Sequence, residues 1–171
     1  MNIPSSITNL VREKAGPMDN VYFYHATSAY ESLNKVTEKT YCYDHVSMVA
    51  NTLERLYKGF LMAASEKCDW YSLPSSHFLS ADHDILGMVI EIKQNFPDVF
   101  PRQDRQSWRE TKVFLRDLRS EYTAARYTSY PTYQEFVSIR NYLKSQYELI
   151  TNYLKENDLS KQEENEFSVD Y

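Results

Sequence analysis

Apolar residues recur every three or four positions over five stretches of this chain, and every proline falls outside them. That spacing is the signature of helices with one buried face. The first stretch runs from Val21 to Thr37, with Phe23, Ala26, Tyr30, Leu33 and Thr37 on one side. Asp19 and Asn20 are its candidate caps. The second runs from Tyr43 to Ser65 on Val46, Val49, Leu53, Leu56, Phe60 and Ala63. The third runs from His83 to Asn95 with Ile85, Leu86, Val89, Ile90 and Phe96, and Asp82 is its candidate cap.

The fourth stretch opens on Ser107 and Glu110, a Ser-x-x-Glu pattern that predicts a capping box. Its seam is Trp108, Thr111, Leu115, Leu118, Tyr122 and Ala125. Thr132 and Glu135 repeat the box before the fifth, whose seam is Phe136, Ile139, Leu143, Tyr147, Ile150 and Leu154. Pro74, Pro97, Pro101 and Pro131 separate the segments, and Pro4 and Pro17 precede the first. Proline in a helix interior would remove a hydrogen bond and clash, so this placement supports the helical reading. No stretch shows strand alternation bounded by hairpin turns. The expected fold is all-α, a single bundle of about five helices, four long plus one.

The 171 residues suffice for one domain with its own core. We divide them into an N-terminal extension over 1–20, a helical bundle over 21–156 and an acidic tail over 157–171. The net charge of −5 sits at the C-terminal end, where Glu156, Asp158, Glu163, Glu164, Glu166 and Asp170 face the single base Lys161. Such a composition predicts a disordered tail and leaves the bundle neutral overall. Three glycines exclude a Gly-rich phosphate loop. Cys42 and Cys68 form no metal spacing, which predicts free thiols in a reducing compartment. No apolar run approaches a membrane span, and the first 16 residues lack a signal-peptide core. A cytoplasmic protein without membrane association is the expectation.

The fourth helix carries the sharpest functional feature. Arg109, Lys112, Arg116, Arg119 and Arg126 fall on one face beside its seam, and no acid lies three or four residues from any of them. The helix cannot neutralise this stripe by local pairs. Acids on neighbouring helices, solvent, or a polyanionic ligand must do so. Arginine suits the last role, because its planar fork matches phosphate oxygens. Tyr122, Tyr127, Tyr130 and Tyr133 interleave with the stripe and could stack bases, although amphipathic tyrosines also line bundle ends and dimer faces.

Other constellations carry less. Asp82, His83 and Asp84 place an imidazole between two carboxylates, with His77 nearby, but their spacing is no recognised ligand set, and we expect no metal. His25 and His45 stand isolated. Cys42 and Cys68 show no activating partner in the sequence, and no Gly-x-Ser-x-Gly elbow is present. Glu54 and Glu91 could pair as general acid and base, as could many helical acids.

Three stretches together resemble HEPN domains. Thr40-Tyr41 followed by Ala50 through Leu61 is similar to the second helix of that family, with its Glu-x-x-x-Lys-small-x-Leu signature. Ser80 through Leu86 resembles the family's His-Asp-Leu approach to the next helix, and Glu121 through Tyr127 its Tyr-x-x-Ala-Arg-Tyr-Pro segment. The resemblance covers about residues 22–156. It implies an all-α bundle, a homodimer, and association with nucleotides, RNA or a nucleotidyltransferase-type partner, in toxin–antitoxin or defence settings. Ribonuclease members place a His four to six residues after an Arg. Here Arg126 has no such His, and the last histidine of the chain is His83.

The resulting expectation is a non-catalytic module with no cofactor. It would recognise nucleotide or RNA phosphate through Lys112, Arg116, Arg119 and Arg126, with Tyr122, Tyr127, Lys58 and His83 alongside. A divergent ribonuclease that brings His83 to Arg126 is one alternative. A protein-interaction bundle without nucleic-acid binding is another.

Overall fold

The computed structural model describes residues 21–67, 84–122 and 131–157, with side chains given for 21–64, 84–118 and 131–157. Among these residues the protein is all-α: α1 Val21–Asn34, α2 Asp44–Lys67, α3 Ile85–Asn95, α4 Arg105–Tyr122 and α5 Tyr133–Glu156. The segment over 1–20, the acidic tail from Asp158 onward, and the caps expected at Asp19, Asn20 and Asp82 lie outside the described residues.

The centre of the bundle is α2. It packs against each of the other four helices, while α1 also meets α5, and α3 also meets α4. The six seam residues read for this helix, Val46, Val49, Leu53, Leu56, Phe60 and Ala63, are all buried. Ala50, Tyr57, Leu61 and Ala64 widen that face, which a helix surrounded by four neighbours requires. Phe60 meets the rings of Phe96 and Tyr153 edge-on at 5.1 and 5.8 Å. Edge-to-face contact sets positive ring edges against negative faces and adds to the burial.

Helix boundaries follow local chemistry. Asp84 caps α3, its Oδ1 accepting from the Gly87 amide at 3.0 Å, so that helix begins at Ile85 rather than at His83. It ends before Pro97, with the Phe96 amide donating to Ile92 O. The fifth helix has the box read from sequence: Thr132 Oγ1 accepts from the Glu135 amide, and Glu135 Oε2 accepts from the Thr132 amide.

At α4 the sequence reading is corrected. Ser107 is inside the helix, and Asp104 caps it. Asp104 Oδ1 accepts from the Ser107 amide at 2.8 Å, Oδ2 accepts from Ser107 Oγ, and the Trp108 amide donates to Asp104 O. Glu110 accepts from Gln106 Nε2 instead of reaching back to the helix start. An ionised carboxylate at the positive helix terminus outcompetes a hydroxyl three residues on. These bonds hold the Asp104 carboxyl below its ordinary pKa.

The first helix is capped from across the bundle. Its last turn has no basic residue, and Arg140 Nη1 of α5 donates to Leu33 O and Val36 O at 3.1 and 2.8 Å. The same contact region stacks Tyr30 on Tyr147, with ring centroids 4.2 Å apart, and joins Thr27 Oγ1 to Tyr147 Oη at 2.9 Å. The α1–α2 connection is fastened to the start of α5 by Tyr41, whose hydroxyl donates to Pro131 O at 2.6 Å and whose ring lies against Phe136.

Candidate cation-lined cleft

The site is built on α3, α4 and the connection between them. Pro97 and Pro101 keep residues 96–104 from continuing either helix, and Val99 and Phe100 turn inward to the core. Beside Phe100, Trp108 lies half-buried in the first turns of α4. Lys93, in the last turn of α3, brings its ammonium to 4.6 Å from the Trp108 ring and 5.8 Å from the Phe100 ring. Lys112 reaches the same indole at 5.9 Å. Two cations share one electron-rich face system, which attracts each of them and leaves their mutual repulsion in place.

Neither ammonium has a carboxylate within ion-pairing distance among the described residues, and neither does the Arg109 guanidinium. Lys93 instead donates to Gln103 Oε1 at 3.3 Å, and Gln103 Nε2 passes the chain on to Thr111 Oγ1 at 2.9 Å. Burial pushes the Lys93 pKa down from its ordinary value. Among the described residues, no acid on a neighbouring helix pairs with this end of the stripe.

Beneath Lys93 a cavity of about 270 Å3 opens between α3, α4 and α5, walled by Val89, Phe100, Trp108, Tyr142 and Gln146. Its floor is Tyr142 and Gln146, with Tyr57 behind them. Tyr57 is fully buried and donates to Gln146 Oε1 at 2.8 Å. Tyr142 lies beside the same phenol, and the two hydroxyls interact. Burial raises both phenols: Tyr57 well above its ordinary value, and Tyr142 up to about 12.

The residues expected at the site separate in the structure. Lys112 and Arg116 lie on α4, Lys112 half-buried against Trp108 and Arg116 exposed. Arg119 and Tyr122 belong to the last turn of α4. Arg126, Tyr127 and His83 lie outside the described residues. Lys58 is buried on α2 and bound to Glu54 Oε1 at 2.6 Å, one turn away on the same helix.

Glu54 and Glu91 have different surroundings. Glu54 holds Lys58, whereas Glu91 Oε1 is buried with no hydrogen-bond partner among the described residues. His45 is not isolated: its Nδ1 accepts from the Cys42 amide at 2.9 Å and lies 3.5 Å from Cys42 Sγ, so that thiol does have an imidazole neighbour. Among the described residues no group of three or more His, Cys, Asp and Glu side chains could hold a metal ion, and no helix is long and apolar enough to cross a membrane.

Sequence reasoning missed Lys93, Gln103 and Gln146. Lys93 had one usable signal, its spacing of four from Val89, which sets both on one flank of α3. Gln146 had none, because its partner Tyr57 is 89 residues away. Comparison with known proteins finds no matching family, no similar curated protein and no similar solved structure. The fold and site thus define an all-α bundle with a cation-lined aromatic cleft.

Proposed function

We propose that this bundle is a non-catalytic module that binds the phosphates of a nucleotide or RNA along the α4 stripe. The observation that carries the reading is the pair Arg109 and Lys112, charged and without a carboxylate among the described residues. Trp108 beside them supplies an aromatic surface of the kind on which bases stack. Arg116, Arg119 and Arg126 extend the stripe along the chain. The HEPN resemblance, with its homodimer and nucleotidyltransferase-type partner, belongs to the same proposal and supplies the prior for RNA as the polyanion.

The test is fluorescence anisotropy with labelled single-stranded RNA at several salt concentrations. Each phosphate contact on a single strand contributes about 0.7 to the slope of log K against log salt. Arg109→Ala combined with Lys112→Ala should weaken binding and flatten that slope by about 1.4, two contacts' worth. An affinity and slope equal to the wild type would refute the reading.

A further inference from the structure

The cavity beneath Lys93 has a chemistry of its own, distinct from the exposed stripe. Gln146 is only 8% exposed, and its amide is used at one end. Its Oε1 accepts from Tyr57, while its Nε2 has no acceptor among the described residues. The side chain lines the cavity. Behind it, the Tyr57 hydroxyl already holds Gln146 Oε1. Two donor groups line the cavity: the Gln146 amide on one side and the Lys93 ammonium on the other.

Water serves an amide donor and a partly desolvated ammonium in a narrow, largely apolar cavity less well than a fixed acceptor does, and each unmet donor costs free energy. A ligand that supplies acceptors at both places removes these costs. The remaining walls favour a flat ring, because Phe100 and Trp108 present aromatic surface and Val89 and Leu149 aliphatic surface. The volume of about 270 Å3 admits one or two fused rings with a small acidic group. Ser145, exposed on α5, stands at the rim.

We infer that the α3–α4–α5 cavity binds a one- or two-ring aromatic acid, with its anionic group on Lys93, a ring acceptor on the Gln146 amide, and its ring against Trp108 and Phe100. Carboxylate and phosphate satisfy the same ammonium, so an aromatic carboxylate and a pyrimidine nucleotide share the required chemistry. The inference stands whether or not the exposed stripe binds RNA.

Isothermal titration calorimetry on the full chain tests it with benzoate, quinaldate, indole-3-acetate and uridine 5′-monophosphate. Each has a neutral counterpart: benzamide, quinaldamide, indole-3-acetamide and uridine. At least one acid should bind saturably, and its counterpart should bind at least about tenfold more weakly, the worth of one charge-assisted contact. Saturation by the carboxylates alone, or by the nucleotide alone, identifies which source of the anion the cavity prefers.

Lys93→Met should weaken the acid by about the same factor. Ser145→Phe, which fills the cavity from the exposed side of α5, should abolish saturation while RNA binding keeps its wild-type salt slope. The inference is overturned if none of the four acids binds, if acids and neutral counterparts bind alike, or if both variants bind as the wild type does. Loss of RNA binding in Arg109→Ala/Lys112→Ala with the acid still bound would confirm that the two sites are separate.

Discussion

Replacing Tyr57 by Phe removes one oxygen from the centre of the bundle. The ring stays packed edge-on to Phe100 at 6.4 Å, so no cavity term enters. What is lost is the donor to Gln146 Oε1, on a side chain with 8% of its surface exposed. Leaving a buried carbonyl oxygen without a donor costs about 1–3 kcal/mol. Tyr142 also loses a neighbouring hydroxyl, but it is only half-buried and can turn toward water at smaller cost. The expected destabilisation is therefore about 1–3 kcal/mol. With a urea m-value of about 1–3 kcal/mol/M, the midpoint should fall by roughly 1 M. Urea denaturation followed by circular dichroism at 222 nm reads this directly.

The same substitution has a pH signature. Both phenols titrate higher in the folded protein than the ordinary value of 10.0, because burial disfavours phenolate. The stability they confer is complete below about pH 10 and is lost as pH rises above it, for Tyr142 through about 12. Each contributes a slope of about 1.4 kcal/mol per pH unit where the unfolded phenol has ionised and the folded one has not. Tyr57→Phe should remove one such slope from the alkaline limb. A loss below about 0.5 kcal/mol at neutral pH, or an unchanged alkaline limb, would refute this role for the Tyr57 hydroxyl.

Two further outcomes follow from the caps and the buried ion pair. Asp104→Ala should lower the melting temperature and Glu110→Ala should leave it unchanged, since the carboxylate of Asp104 holds the start of α4; equal effects would restore the box expected at Ser107. Because that carboxyl is held below its ordinary value, its contribution is present above about pH 4 and disappears as pH falls through the lowered value. Glu54→Ala should cost about 3–5 kcal/mol by leaving the Lys58 ammonium buried beside an apolar core, whereas Glu54→Met with Lys58→Met should recover most of it. Chemical denaturation of the three proteins checks this, and an equal loss in the double variant would show that the pair is held by more than its own charge.

Much of the fold was legible because its signals are local. The six seam positions of α2 and the Thr132–Glu135 box each lie within a few turns of one another, and the structure has them where the spacing put them. The start of α4 was misread because Asp104-x-x-Ser107 and Ser107-x-x-Glu110 fit the same pattern, and only the bond from the Trp108 amide to Asp104 O decides between them. The Arg140 cap on α1 and the Tyr57–Gln146 bond join residues 104 and 89 positions apart, and no periodicity reports such pairs. The stripe was visible as charge without local acid. The cavity beside it was not, because α3, α4 and α5 each contribute only part of its wall.

The contact between α1 and α5 gives the chain a clock. Tyr30 stacks on Tyr147, and Thr27 bonds to the same side chain, 120 residues downstream. At about 5–20 residues per second, a ribosome needs on the order of ten seconds to reach that tyrosine after making the first helix. The paired first and second helices wait through that interval with the flank that α5 will cover still bare, joined only by α3 and α4 as those emerge. Whatever shields that flank in the cell, a chaperone or a second nascent copy, has those seconds in which to act.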